Sequence, residues 1–263
     1  THANSLENKM NKKLVLAAPC LAMLAACGGG STGDVSFQTL SVLPNGDGVA
    51  RGVTATGEEA LIYSPEISEV VSAANAAGSS NATNVSASDF PVTSLSGNVR
   101  VRSGTMTSDG TTVNVTAIED LRTTEAAVIF LEAPAGYNDV TMVTGTAYSN
   151  APSGTYTYSG TQMTTANNRI APGSTGSFTM SANFAQENFQ YSGSSGGVGV
   201  SGSGVLDTVN GRFATSNLSI TSGSSTNSGT MHGLMHGSGA TSTSGIFHTS
   251  GSSPLTGAFV GSR

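Results

Sequence analysis

The alternation of apolar and polar residues is clearest over residues 145–263, where short apolar segments are separated at near-regular intervals by Gly, Ser, Thr and Asn. Most segments alternate one large apolar residue with one small polar residue, which is the two-residue period of a strand with one buried face. Several short strands at a spacing of roughly 8–12 residues are typical of an all-β sandwich or barrel. The pattern therefore predicts an all-β C-terminal region.

The middle of the chain predicts further strands. Alternating runs flank a Ser-Asp-Gly sequence at 108–110, which has the residues of a tight turn, so a hairpin is expected there. Arg100 and Arg102 share one face of the first strand of this hairpin. We expect them to be solvated or paired with Glu119 or Asp120 of the second strand.

One helix is expected, over residues 65–77. Ser64 can cap its N-terminus and Pro65 fits its first position. Apolar residues recur from Ile67 at i, i+3, i+4 and i+7, which gives one apolar stripe, and Gly78 is placed to end the helix. Packing of this stripe against the barrel or the N-terminal part is favoured over a binding role.

The N-terminal part has the pattern of a bacterial secretion signal. A positively charged stretch begins at Met10, and the apolar run at 14–24 that follows is too short to span a bilayer. Residues 1–9 precede this pattern and are expected to take no part in the fold. Residues 10–26 are therefore predicted to be a signal peptide.

The end of this signal, Leu24, Ala25, Ala26 and Cys27, resembles the lipobox of bacterial lipoproteins. In such sequences the Cys thiol is diacylated, the chain is cut just before it, and the new N-terminus is acylated. Several acyl chains anchor a protein stably, whereas one is marginal. The resemblance implies lipidation of Cys27 and a flexible tether over 27–35. The alternative is an ordinary secretory signal with a chance cysteine.

Charge and cysteine content exclude several functional classes. The formal net charge is −6, and the arginines beyond the signal form no run, which argues against a nucleic-acid groove. Cys20 and Cys27 both lie in the targeting segment, so disulfides and thiol chemistry are excluded from the rest of the chain. The sequence contains no nucleophile elbow or phosphate-binding loop. We expect neither an enzyme nor a bound cofactor.

The most suggestive chemistry lies at 231–236, where the sequence reads Met-His-Gly-Leu-Met-His. On a helix, His232 and His236 would share a face and could bind a metal. The flanking glycines favour a strand instead, on which the two rings would be about 13 Å apart. His248 comes close if its segment pairs with this one. A haem or metal role for the three histidines is one hypothesis, and core packing is expected for the methionines.

A set of glycine-bracketed segments carries a family resemblance. They are Tyr-Thr-Tyr-Ser-Gly at 156–160, Gly-Ser-Phe-Thr-Met-Ser-Ala-Asn-Phe at 176–184, Gly-Arg-Phe at 211–213, Gly-Leu-Met-His-Gly at 233–237, Gly-Ile-Phe at 245–247 and Gly-Ala-Phe-Val-Gly at 257–261. This run resembles the lipoprotein β-barrel of the transferrin-binding-protein-B-like family, which also includes factor-H-binding and haemoglobin-receptor lipoproteins. The segment at 233–237 departs from the family, whose members usually carry aromatics between these glycines.

The resemblance implies an up-and-down antiparallel barrel of about eight strands over 139–263, with an interior filled by side chains. A small β-rich segment with one short helix is expected before it, over 36–138. A membrane-spanning barrel is disfavoured, because Ser, Thr, Asn and Gly occupy the face opposite the aromatics. The family's partner-binding loops have no recognisable match, so no binding residues are transferred.

These features together predict a lipid-anchored outer-membrane lipoprotein that faces the cell surface or the periplasm. Its soluble barrel is expected to bind a protein or solute ligand, by resemblance an iron-carrying protein of the host or environment, or haem. The alternatives are an envelope-coat lipoprotein without a dedicated ligand and a haem or metal scavenger. No nucleic-acid partner is expected.

Overall fold

The computed structural model describes residues 36–40, 49–53, 59–64, 90–108, 111–123, 125–132, 139–165, 174–249 and 255–263. The expected signal peptide, the lipobox with Cys27, the tether and the helix over 65–77 lie outside these residues and stay predictions. Within the described part of the chain, no helix is long and apolar enough to cross a membrane.

The first eight strands form one antiparallel sheet. They are β1 Ser36–Leu40, β2 Val49–Val53, β3 Glu59–Tyr63, β4 Val92–Ser96, β5 Val99–Ser108, β6 Thr111–Asp120, β7 Ala126–Glu132 and β8 Val140–Gly145. Their order across the sheet is β1-β2-β3-β8-β7-β6-β5-β4. The hairpin predicted around 108–110 is confirmed, because β5 pairs with β6 from Val99 opposite Asp120 to Ser108 opposite Thr111.

Strand β8 belongs to this sheet and not to the barrel, which corrects the expected barrel boundary at residue 139. It is hydrogen-bonded between β3 and β7, with Val143 opposite Leu61 on one side and Val128 on the other. All but the last residue of β8 are buried. A central strand that is covered on both faces is buried along its whole length. It therefore lacks the alternation of buried and exposed residues by which barrel strands are recognised.

The other eight strands close into an antiparallel barrel. They are β9 Thr155–Thr165, β10 Thr175–Asn183, β11 Asn188–Ser195, β12 Val198–Asp207, β13 Arg212–Ser222, β14 Ser225–His236, β15 Ser242–Thr249 and β16 Thr256–Ser262. Each strand pairs with the next, and β16 pairs with β9. The predicted fold class, an all-β chain with a C-terminal up-and-down barrel of about eight strands, is confirmed.

Strand β13 runs from Arg212 to Ser222 although its pairing is irregular at the middle. The register with β14 shifts between Thr215 and Leu218, which marks a β-bulge. A bulge inserts unpaired residues and breaks the two-residue period without ending the strand. The neighbouring strand β12 has a similar irregularity between Ser201 and Val205.

The sheet packs on the outer wall of the barrel. Side chains of β3, β7 and β8, among them Leu61, Val128 and Val143, are buried in one cluster with Leu234 and Ile246 of the barrel. Outward-facing residues of β14, β15 and β16 are therefore buried although they lie outside the barrel. Among the described residues, one apolar cluster thus lies inside the barrel and another between barrel and sheet.

Candidate ligand-binding site

Aromatic side chains occupy the barrel interior. Phe259 lies 4.8 Å from both Phe178 and Tyr191, measured between ring centroids. The buried Tyr191 hydroxyl donates to Gln162 Oε1 at 2.8 Å, and Gln162 Nε2 donates to Ser195 Oγ at 3.0 Å. Burial raises the pKa of Tyr191 well above its usual value, so the phenol stays neutral. Packed and hydrogen-bonded side chains therefore occupy the barrel interior.

The three histidines singled out in the sequence all face the sheet from the barrel wall. Met231 and Met235 point into the barrel core, as expected, while His232 and His236 alternate to the opposite side. His236 contacts the carbonyl oxygen of Thr146 through Nδ1 at 3.2 Å and Ser244 Oγ through Nε2 at 2.7 Å. Both ring nitrogens of His236 are therefore engaged by the protein.

His248 lies on β15, which pairs with β14 as the hypothesis required. Its ring stacks on Tyr63 of β3 with centroids 4.2 Å apart and 20° between the planes. Nε2 lies 2.7 Å from Thr230 Oγ1, while Nδ1 is buried without a hydrogen-bond partner in the described structure. His248 thus joins the barrel to the sheet through a ring contact.

Burial keeps these histidines neutral. It lowers the pKa of His232, His236 and His248 to about 4 each, and the neighbouring His248 lowers that of His232 further. Within the described residues, no three His, Cys, Asp or Glu side chains form a group that could hold a metal ion. His236 is held by hydrogen bonds through both ring nitrogens, His248 by one hydrogen bond and a ring contact, and His232 is buried in the barrel wall. Their role as haem or metal ligands stays a prediction.

A cleft of about 220 Å³ opens where β3 lies beside β12, β13 and β14, and we call it the sheet–barrel cleft. Its lining includes Leu61 of the sheet and Val205, Arg212, Ala214 and His232 of the barrel. Val205 is 69% exposed, so the cleft opens to solvent on that side. The cleft combines an apolar wall with the Arg212 guanidinium and the Asp207 carboxylate, and an apolar wall with few polar groups is the mixture found in small-molecule sites.

The Arg212 guanidinium lies near other charges. Its Nε is buried and has no hydrogen-bond partner in the described structure. Burial lowers the pKa of Arg212, and the charge of Arg51 lowers it further, while Glu59 and Asp207 act in the opposite direction. Arg51 is itself paired through Nη2 with Glu59 Oε1. Arg212 is therefore a cation in partly desolvated surroundings whose Nε can still donate.

Asp207, the acid nearest to Arg212 in the strand pairing, is engaged in the turn that follows β12. Its Oδ1 accepts from the backbone N–H groups of Val209 and Asn210, each at 3.0 Å, and its Oδ2 accepts from Asn210 Nδ2 at 2.7 Å. Burial raises the pKa of Asp207, but these bonds and the charge of Arg212 together hold it below the usual value. The carboxylate thus stabilises the turn rather than capturing Arg212.

A second cleft, of about 130 Å³, lies on the sheet beside Arg100, Glu119 and Glu125. Glu119 pairs with both Arg100 and Arg102, at 2.6 Å and 3.0 Å, which confirms one of the expected pairings. Glu125 accepts a hydrogen bond from Ser242 Oγ at 2.9 Å. Because its charged groups already have partners, this cleft is a weaker candidate than the sheet–barrel cleft.

Sequence reasoning did not identify Arg212 as a site residue. It appeared only within the Gly-Arg-Phe segment at 211–213, as part of the barrel pattern. The available signal was an arginine in an outward strand position, in a region otherwise rich in small polar residues. Such a signal does not show whether the arginine is solvated or desolvated, because that depends on Leu61, which is distant in the sequence.

Comparisons with known proteins were made by family model, by sequence and by structure. No protein-family model matches the chain, and no curated protein matches it by sequence. Similar solved structures include isotype 1 transferrin binding protein B from serogroup B Neisseria meningitidis, with 11% identity and a TM-score of 0.46 over 66% of this chain and 36% of that chain. The transferrin binding protein B of Haemophilus parasuis, a double mutant, has 14% identity and a TM-score of 0.46 over 81% and 53%.

The N-lobe domain of lactoferrin binding protein B from Moraxella bovis is also similar, with 12% identity and a TM-score of 0.36 over 62% of this chain and 78% of that chain. Transferrin- and lactoferrin-binding proteins, which the glycine-bracketed segments led us to expect, are thus among the structures to which this chain is similar. The chain spans about a third to a half of the two transferrin-binding proteins. With these TM-scores and identities, the likeness carries no conclusion about the ligand of this chain.

Proposed function

We propose that the protein is a lipid-anchored lipoprotein of the bacterial outer membrane, whose barrel and sheet form a binding module. The observation that carries the binding role is the contrast between a barrel interior occupied by aromatic rings and an open cleft on its outer wall with an unpartnered arginine nitrogen. A rigid barrel that presents an outer site is a common arrangement for recognition. By the family resemblance, the ligand is an iron-carrying protein, haem or another solute.

The anchor is supported by the lipobox residues Leu24, Ala25, Ala26 and Cys27 and by the Gly-rich tether that follows. Its acyl chains would hold the module at the membrane while the barrel stays in water. The exposed outer positions of β10 and β11 agree with this, because they carry Ser177, Thr179, Gln190 and Ser192. Protease treatment of intact cells tests surface display, and complete protection would place the module inside the envelope.

Lipidation is tested by labelling cells with radioactive palmitate. We expect Cys27→Ser to abolish incorporation of the label and to release the protein from the membrane, because the acylated thiol is lost. Cys20→Ser is the matched control, since it removes the other cysteine of the same segment and should keep both label and anchoring. Label that persists in Cys27→Ser would contradict the proposed anchor.

The binding role is tested by immobilising the chain and recovering proteins and solutes from growth medium. We expect specific capture by the native chain and reduced capture when Ala214→Phe fills the sheet–barrel cleft. Glu132→Ala, a change on β7 outside this cleft, controls for general effects. Recovery of no ligand from iron-poor and iron-rich media would favour the alternative, an envelope-coat lipoprotein without a dedicated ligand.

A further inference from the structure

We propose that the sheet–barrel cleft binds a small apolar carboxylate, with Arg212 as the group that recognises the anion. This rests on the proposed binding role and gives it a chemical class of ligand. The residues that carry the argument are Leu61, Val205, Arg212, Ala214 and His232, which all line the cleft.

The apolar part of the ligand would lie against Leu61, Ala214 and Val205. Leu61 is buried, whereas Val205 is 69% exposed at the rim, so the apolar wall runs from the interior to solvent. Covering an exposed valine with an apolar group is favourable by roughly 25 cal/mol per Å² of apolar surface removed from water. The cleft volume of about 220 Å³ is below the roughly 300–1,000 Å³ of sites for drug-sized molecules, so the ligand is small.

The anionic part would meet Arg212. Its Nε is buried without a partner in the described structure, and a carboxylate is the acceptor that matches the planar fork of a guanidinium group. Of the surrounding acids, Asp207 accepts three hydrogen bonds from its own turn, and Glu59 is paired with Arg51 through Oε1, while Glu59 Oε2 and Arg212 Nε both lack a hydrogen-bond partner in the described structure. The guanidinium therefore remains available to an anion from outside.

His232 sharpens the expected selectivity. Because its pKa is about 4, the ring is neutral at pH 7 and offers a hydrogen bond without a charge. The cleft thus presents the Arg212 guanidinium beside an apolar wall, and the Asp207 carboxylate that also lines it already accepts three hydrogen bonds from its own turn. A molecule with one carboxylate and one apolar body fits this arrangement, whereas an uncharged analogue leaves Arg212 unpaired.

Sodium benzoate is a suitable probe, and benzyl alcohol is its uncharged counterpart of similar size. Binding to the purified chain is followed by saturation-transfer NMR and titration calorimetry. We expect saturable binding of benzoate and at least about tenfold weaker binding of benzyl alcohol, because a hydrogen bond to a charged group contributes roughly 1.5–3 kcal/mol.

Three variants locate the site. Arg212→Gln should weaken benzoate binding at least about tenfold, and Ala214→Phe should abolish it by filling the apolar wall without removing charge. Arg100→Gln is the control, because it removes an arginine outside the cleft and leaves Glu119 paired with Arg102. Circular dichroism checks that each variant folds. If Arg212→Gln fails to fold, the effect of Ala214→Phe on benzoate binding still tests the position of the site.

Equal binding of benzoate and benzyl alcohol, or undiminished binding by a folded Arg212→Gln, would overturn the assignment of the carboxylate to Arg212. Failure of benzoate to bind would overturn the assignment of a carboxylate site to the cleft. That result would leave the proposed binding module standing if the chain still captures a ligand from medium and Ala214→Phe reduces that capture. Loss of both probe binding and capture would remove the proposed function as well.

Discussion

At the scale of single residues, the glycines that punctuate the barrel strands make room for aromatic rings. Gly233 lies opposite Phe213, Gly245 opposite Phe259, and Phe247 opposite the glycine at 257. At each of these glycines a Cβ atom would come within 3.0 Å of the facing ring. Glycine and aromatic residues are therefore complementary parts of one interior, since the ring covers the strand where a side chain is missing.

Gly245→Ala tests this complementarity. Its Cβ would meet the Phe259 ring and, at 2.9 Å, the carbonyl oxygen of His232, and Phe259 cannot move aside easily because it is fully buried. We expect a loss of about 1–3 kcal/mol in the free energy of unfolding, measured by urea denaturation. Gly199→Ala is the control, because nothing lies within 4 Å of its added Cβ. Equal stability of the two variants would contradict the packing argument.

At the scale of elements, β14 changes character along its length. The first four residues of this strand, 225–228, are exposed. Every residue from Met231 to the end of the strand is buried. The change occurs because the second half has the barrel core on one side and the sheet on the other. The same double burial makes β15 buried throughout, and it encloses all three histidines.

This enclosure predicts a dependence of stability on pH. The three histidines have pKa values of about 4 in the folded chain, below the ordinary value of 6.5, so the unfolded chain binds more protons between these limits. Stability is therefore complete above pH 6.5 and falls as the pH is lowered towards 4. We expect a loss of about 2 kcal/mol per histidine between pH 7 and pH 5, measured by thermal unfolding.

His236→Gln identifies the source of this effect. Glutamine cannot take up a proton, so the variant should lose less stability than the native chain between pH 7 and pH 5, even if it is less stable at pH 7. Both pH values, 7 and 5, lie above the range in which most carboxylates titrate, so histidines dominate the difference in stability. An unchanged dependence on pH in this variant would show that His236 is not one of the groups responsible.

At the scale of the whole molecule, polar contacts hold the sheet to the barrel beside the apolar interface. Arg122 pairs with the buried Asp120 at 2.5 Å and donates from Nη1 to Ser159 Oγ of the barrel at 3.2 Å. Thr123 Oγ1 lies 2.6 Å from Ser242 Oγ, which also donates to Glu125. These contacts fix the position of the sheet on the barrel and, with it, the width of the sheet–barrel cleft.

Arg122→Ala should destabilise the molecule by about 2–3 kcal/mol, because it leaves the fully buried Asp120 carboxylate with its backbone hydrogen bond alone. The loss is expected to be smaller than for a fully enclosed pair, since the Arg122 side chain is 37% exposed. In Arg100→Ala, Glu119 keeps Arg102, so this control should lose less than about 1 kcal/mol. Urea denaturation measures the loss in free energy of unfolding for both variants. Similar losses would contradict the role of Arg122 in joining the sheet to the barrel.

The sequence alone determined the local features of this protein. The two-residue period and the glycine spacing predicted strands and turns, because these depend on residues close together in the chain, whereas the closed barrel was expected only from the family resemblance. The hairpin of β5 and β6 followed for the same reason, and Glu119 was one of the expected partners of Arg100.

Only the tertiary structure decided the rest. The placement of β8 in the sheet, the burial of His232, His236 and His248, and the desolvation of Arg212 all depend on the packing of the sheet against the barrel wall. A residue that faces outward from a barrel is exposed or buried according to what covers it, and the covering strands lie far away in the sequence. The charge state and the availability of these side chains were therefore set by contacts that no local pattern contains.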